Sequence, residues 1–86
     1  MLIRLRRLDD LPSGRWGLRR RRRQYELEIT DETAGVRHWG PTSSASSRLV
    51  RLGGVHTTDA HDWLTRADEL HAEGSDAWVT DPWRRP

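Results

Sequence analysis

Apolar residues in the first half of the chain alternate rather than cluster. Tyr25, Leu27 and Ile29 are interleaved with Glu26, Glu28 and Thr30, the period-two pattern of a strand buried on one face and wetted on the other. Upstream, Ile3 and Leu5 suit a strand, although Leu2, Leu5, Leu8 and Leu11 also recur every three residues as on a helix. A strand over 2–8 is the favoured reading, and Leu11-Pro12-Ser13-Gly14 then reads as a turn. Downstream, Asp31 to Gly35 forms a five-residue hairpin loop into a second strand, Val36 to Trp39, which Gly40-Pro41 ends.

Thr42 to Ser47 offers no packing surface and reads as a polar loop, Arg48 to Leu52 as a further extended segment, and Gly53-Gly54 as its end. From Thr57 the period changes. Ala60, Trp63, Leu64, Ala67 and Leu70 fall on one helical stripe. Thr58 or Asp59 is placed to accept from the first free amides, Asp62 and Arg66 are spaced to pair, and Gly74 suits the left-handed position after the helix. The tail, 75–86, carries Trp78, Val79 and Trp83 as docking residues for the sheet or for a partner. These elements predict an α+β fold: a small antiparallel sheet of three or four strands with one amphipathic helix packed on a face.

With 86 residues the chain has room for a single small domain. It divides into a basic strand-rich part, 1–56, an acidic helix, 57–74, and a Trp/Arg tail, 75–86. Only 34% of residues are hydrophobic and five are Trp with no Phe, so a thin core must lean on its indoles. No stretch is long and apolar enough to span a membrane, and the opening Met1-Leu2-Ile3-Arg4 meets a charge too soon for an export signal. A cytoplasmic protein, or a virion component if phage-encoded, is expected. All fifteen cations are Arg, the bias a GC-rich genome of actinobacterial or phage type leaves.

Charge is distributed along the chain in blocks. Residues 1–23 hold nine Arg against Asp9 and Asp10, or +7, whereas 59–81 hold Arg66 against seven acids, or −6. The centre of the basic block is the run Arg19, Arg20, Arg21, Arg22 and Arg23. Five adjacent guanidinium groups repel one another and gain from phosphate or carboxylate partners. If the Tyr25 strand extends backwards in register, Arg21 and Arg23 fall on its buried face. The run must therefore project beyond the covered sheet, or the strand must bulge before Tyr25.

Absent residue types exclude much chemistry. No Cys means no disulfide, thiolate metal site or thiol nucleophile, and no Lys means no Schiff base or P-loop lysine. His61 and His71 lie ten residues apart on one helix, about 15 Å, too far to share an ion. Ser43 to Ser47 near His38 lacks a nucleophile elbow. No cofactor, metal or catalytic role is expected. The leading expectation is a non-enzymatic module gripping a DNA or RNA backbone through Arg19 to Arg23 with Arg4, Arg6, Arg7 and Arg15. Trp16 stands beside the run, able to stack on an unpaired base or to fill the core, and the acidic helix is expected to face away from the polyanion. The alternative is a protein–protein adaptor, inhibitor or virion component. It would bind an acidic protein surface, or a second copy of the chain, through the run and through Trp83, Arg84 and Arg85.

Overall fold

A computed structural model describes residues 1–12 and 21–80, with residues 10–12 and 21–22 described through their backbone alone. Strand β1 covers Leu2–Pro12, β2 Arg21–Asp31 and β3 Gly35–Thr42, followed by helices α1, Ala45–Arg51, and α2, Thr57–Ala72, and a short β4, Val79–Thr80. The four strands form one antiparallel sheet in the order β3-β2-β1-β4. The α+β class expected from the hydrophobic pattern is the one observed, with one helix more than the periodicity revealed.

The alternation in β2 is realised as expected. Tyr25, Leu27 and Ile29 are buried; Leu27 pairs with Leu5 and Ile29 with Ile3 on β1, and Val79 of β4 pairs with Leu5 from the other side. Both helices cover this face, contributing Ala45 and Leu49 from α1 and Ala60, Trp63 and Ala67 from α2 to a single core. At the hairpin, Asp31 pairs with Gly35, so the connection is three residues rather than five. The Asp31 carboxylate accepts from the amides of Thr33 at 2.7 Å and Ala34 at 3.4 Å. These two backbone bonds hold its pKa below the usual carboxylate range.

Further expectations are corrected in β3 and the two helices. First, Gly40-Pro41 does not end β3, which runs on to Thr42 through a register shift opposite Tyr25 and Leu27. An edge strand with a bulge tolerates a proline because no ladder bond is asked of its missing N–H. Second, the polar loop at 42–47 and the extended segment at 48–52 are replaced by α1 from Ala45. Its buried residues are only Ala45 and Leu49, four apart, and Val50 is left exposed. One pair of apolar positions is too short to display a period, and packing against the sheet decides the conformation. Third, α2 is capped by His56, whose Nδ1 accepts from the Thr58 amide at 3.2 Å, rather than by Thr58 or Asp59.

Helix ends are otherwise as the glycines indicate. A Cβ at Gly53 would lie 2.8 Å from the Leu49 carbonyl oxygen and 2.9 Å from Ile3 Cδ1, so only glycine lets the chain leave α1 this close to β1. Gly74 has φ +79° and follows α2 as expected. Arg66 bonds Glu69 at 3.3 Å instead of pairing with Asp62.

The tail reaches the sheet through β4. Val79 is buried, and the Trp63 indole N–H donates to its carbonyl at 3.2 Å. Trp39 is partly buried against the core, with the guanidinium of Arg48 5.2 Å and that of Arg37 6.0 Å from its ring centre. Leu11-Pro12 belongs to β1 rather than to a turn, while Ser13 and Gly14 lie outside the described residues. The sharpest test of this core is a contrast between two apolar residues. Leu27→Ala is expected to lower unfolding free energy by about 2–5 kcal/mol, and Val36→Ala, exposed on β3, by no more than about 0.5 kcal/mol, in urea titrations of each variant.

Candidate nucleic-acid interface

The hairpin of β1 and β2 outruns its neighbours. β3 makes its last pair with β2 at Tyr25–Thr42, and β4 pairs only with Arg4 and Leu5. Beyond these points β1 and β2 continue as a two-stranded ribbon through Leu8–Gln24, Leu11–Arg22 and Pro12–Arg21. From Gln24 to Arg21 it gains about 10 Å. Arg21 and Arg22 therefore lie on a projection of the sheet, as the burial argument requires of residues extending β2. A bulge is present as well, but β1 carries it: between the pairs Leu8–Gln24 and Leu11–Arg22, two residues of β1, Asp9 and Asp10, stand against one of β2, Arg23.

Of the residues singled out in this region, Arg21 and Arg22 have backbone positions in the ribbon, and Arg23 stands at its root with 68% of its side chain exposed. Arg15, Trp16, Arg19 and Arg20 lie outside the described residues. So do Trp83, Arg84 and Arg85 of the tail.

One carboxylate of α2 holds the ribbon root. Asp68 Oδ1 accepts from Arg7 Nη1 at 2.8 Å and from the Tyr25 hydroxyl at 2.9 Å, and Oδ2 accepts from Arg23 Nη1 at 3.0 Å. Arg7 is largely buried and lies with its guanidinium 5.8 Å from the Tyr25 ring centre. A turn further along α2, His71 Nε2 stands 3.4 Å from Asp9 Oδ1. Burial, together with the hydrogen bond to Asp68 and the Asp68 charge, pushes the Tyr25 phenol up to about 12 despite the opposing field of Arg7 and Arg23. The acidic helix thus turns one of its acids toward the basic hairpin. Asp59, Asp62 and Glu73 are exposed, with no ion pair among the described residues.

Arg4 and Arg6 occupy the sheet face opposite the helices. Arg4 donates from Nε at 3.1 Å and Nη2 at 2.7 Å to Glu28 Oε1. Arg6 Nη2 bonds Glu26 Oε1, while His38 Nε2 lies 2.6 Å from the other oxygen of Glu26. The Trp78 ring covers both guanidinium groups, 4.4 Å from Arg4 and 4.6 Å from Arg6, within cation–π range. Burial alone would raise the Glu26 pKa, but the bonds from His38 and Arg6 outweigh it and hold the carboxyl below its usual value. To meet a phosphate, either arginine must leave a glutamate and an indole.

A groove of about 390 Å³ runs between the helices to the ribbon root. α1 supplies Ser46, Ser47, Val50 and Arg51 as one wall. Thr57, His61, Leu64 and Thr65 of α2 form the other, and Arg23, Tyr25 and Asp68 close the end. The sequence did not point to this groove, because its first wall belongs to the helix that hydrophobic periodicity missed. Asp68 was legible only as one acid among several.

Two titrations follow. Tyr25 is the only tyrosine, so alkaline difference absorbance reads it directly: the midpoint is expected at about 12 and should fall toward the free value of about 10 in Asp68→Ala. Stability that rests on the neutral phenol is complete below pH 10 and is lost as pH rises through that midpoint. Glu26 has the opposite sign. Its depressed pKa contributes stability above the unfolded value of about 4.3, lost as pH falls through the folded value, and Glu26→Gln should flatten the acid limb of urea midpoint against pH.

Among the described residues no group of three His, Asp or Glu side chains is placed to hold a metal ion, and no helix is long and apolar enough to cross a membrane. No family model matches the chain, and neither the curated proteins nor the solved structures provide a match.

Proposed function

We propose that the chain is a non-enzymatic nucleic-acid-binding protein that grips a DNA or RNA backbone with the basic ribbon. The observation that supports this reading is the position of Arg21 and Arg22, with Arg23 at the root, on a two-stranded projection of the sheet past its last contacts with β3 and β4. A two-stranded ribbon has the width that a DNA major groove admits. Guanidinium groups along it meet phosphates in bidentate geometry, supplying affinity without sequence choice. Arg15, Arg19, Arg20, Arg21 and Arg22 are the proposed contacts, Trp16 a stacking partner, and Arg23 the link to the scaffold. Arg4 and Arg6, engaged by Glu28, Glu26 and Trp78, are assigned to holding the sheet together.

A second reading is favoured by the exposed acids of α2. Asp59, Asp62 and Glu73, without an ion pair among the described residues, carry charge opposite in sign to the ribbon, so a second copy is an alternative partner. The two readings separate in one set of measurements. If five arginines meet duplex phosphates, fluorescence anisotropy should give a log–log salt slope of about −4.5, a loss of several hundredfold between 50 and 200 mM salt. Changing Arg20, Arg21 and Arg22 to Ala should reduce that slope by about 2.7, and Arg4→Ala with Arg6→Ala should leave it unchanged. Absence of binding at 50 mM salt rejects nucleic acid as the partner, and a salt-sensitive dimer in sedimentation would then favour self-association.

A further inference from the structure

The groove between α1 and α2 is chemically lopsided. Its one carboxylate, Asp68, already accepts from Arg7, Arg23 and Tyr25. Arg51 carries no ion pair, and the hydroxyls of Ser46, Ser47 and Thr57 make no hydrogen bond, among the described residues. What remains available is a set of hydroxyl donors with one permanent cation, Arg51, while the second cation of the lining, Arg23, is held by Asp68. Val50, Ala60 and Leu64 line the same space with apolar surface, and Val50 is 37% exposed. Such a site selects an organic anion over an inorganic one: donors for the charge, an apolar wall for a ring.

Size narrows the class. About 390 Å³ lies within the range of small-ligand sites, toward its lower end, and suits one nucleotide unit rather than a dinucleotide. Arg23 belongs both to the groove and to the ribbon root, so an occupant of the groove adjoins whatever the ribbon holds. We infer that the groove is a binding site for a nucleoside monophosphate unit, its phosphate on Arg51 and the hydroxyl rim and its base against Val50 and Leu64. The unit is supplied either as free nucleotide or as the 5′-phosphorylated end of a bound strand. The strand-end source rests on the ribbon reading; the free-nucleotide source does not.

Two probes distinguish the sources. Calorimetric titration with AMP, with inorganic phosphate as the small-anion control, reports the free nucleotide. Anisotropy with a 3′-labelled 12-mer single strand, with and without a 5′-phosphate, reports the strand end. The expected result is one-to-one AMP binding, a preference for the phosphorylated 12-mer, or both, in each case weakened about tenfold or more by Arg51→Ala, the scale of losing one charge-assisted contact. Val50→Glu, which puts a carboxylate into the groove from an exposed position, should abolish it, and Arg66→Ala should change nothing. Binding of neither probe, AMP binding no tighter than that of phosphate without any 5′-phosphate preference, or effects insensitive to Arg51→Ala and Val50→Glu would overturn the inference. Unphosphorylated duplex still binding with a steep salt slope in that case leaves the ribbon reading intact; AMP binding without any affinity for strands leaves the groove and removes the ribbon.

Discussion

A largely buried carboxylate on α2 settles how the helical layer and the hairpin are joined. Asp68 accepts from two guanidinium groups and a phenol drawn from both strands of the hairpin. Arg23 is exposed, but the other two donors have few other ways to be satisfied at their depth. Arg7 is largely buried and Tyr25 almost wholly so, and an ionised group in such a place must have a hydrogen-bonded counter-charge. The junction also lies where β3 makes its last pair, just before the bulge in β1, so α2 rather than a further strand supports the hairpin beyond it.

The two faces of the sheet solve different problems. The face under the helices is apolar, with Leu5, Leu27 and Ile29 excluded from solvent. The other face cannot be buried by so short a chain, and it carries a cross-strand ladder of Arg4–Glu28 and Arg6–Glu26 with His38 beside it. Opposite charges directly across an antiparallel pair stabilise modestly, and Trp78 adds an aromatic cover. Part of the basic excess counted along the first block is therefore absorbed by the sheet. The excess left over belongs to the ribbon, and that difference separates arginines that hold the molecule together from those that are proposed to reach outward.

Much of this was legible in the residues, and the gaps have physical causes. The β2 alternation and the α2 stripe each repeat over enough positions to declare their period, and both elements formed as read. α1 offered only Ala45 and Leu49, too few for any period, in a serine-rich stretch whose local preferences favour a turn. The projection that carries Arg21 and Arg22 followed from the cost of burying charge, without knowledge that the accompanying bulge falls on β1. The roles of Arg4, Arg6 and Asp68 were not legible, because register between strands and the rotation of a helix over a sheet are long-range properties. No spacing along the chain encodes which glutamate stands across from which arginine.

β4 is two residues long, yet it is gripped from both sides: by the Trp63 indole under the sheet and by the stack of Trp78 on Arg4 and Arg6 above it. Because it runs antiparallel to β1, with Val79 beside Leu5 and Thr80 beside Arg4, the chain at Thr80 is heading toward Leu2. The ribbon departs from the other end of the same strand. The described molecule is thus polar in a geometric sense, with β4 ending beside one end of β1 and the ribbon leaving from the other, so a partner seated on the ribbon leaves the opposite end of the sheet open to a different neighbour.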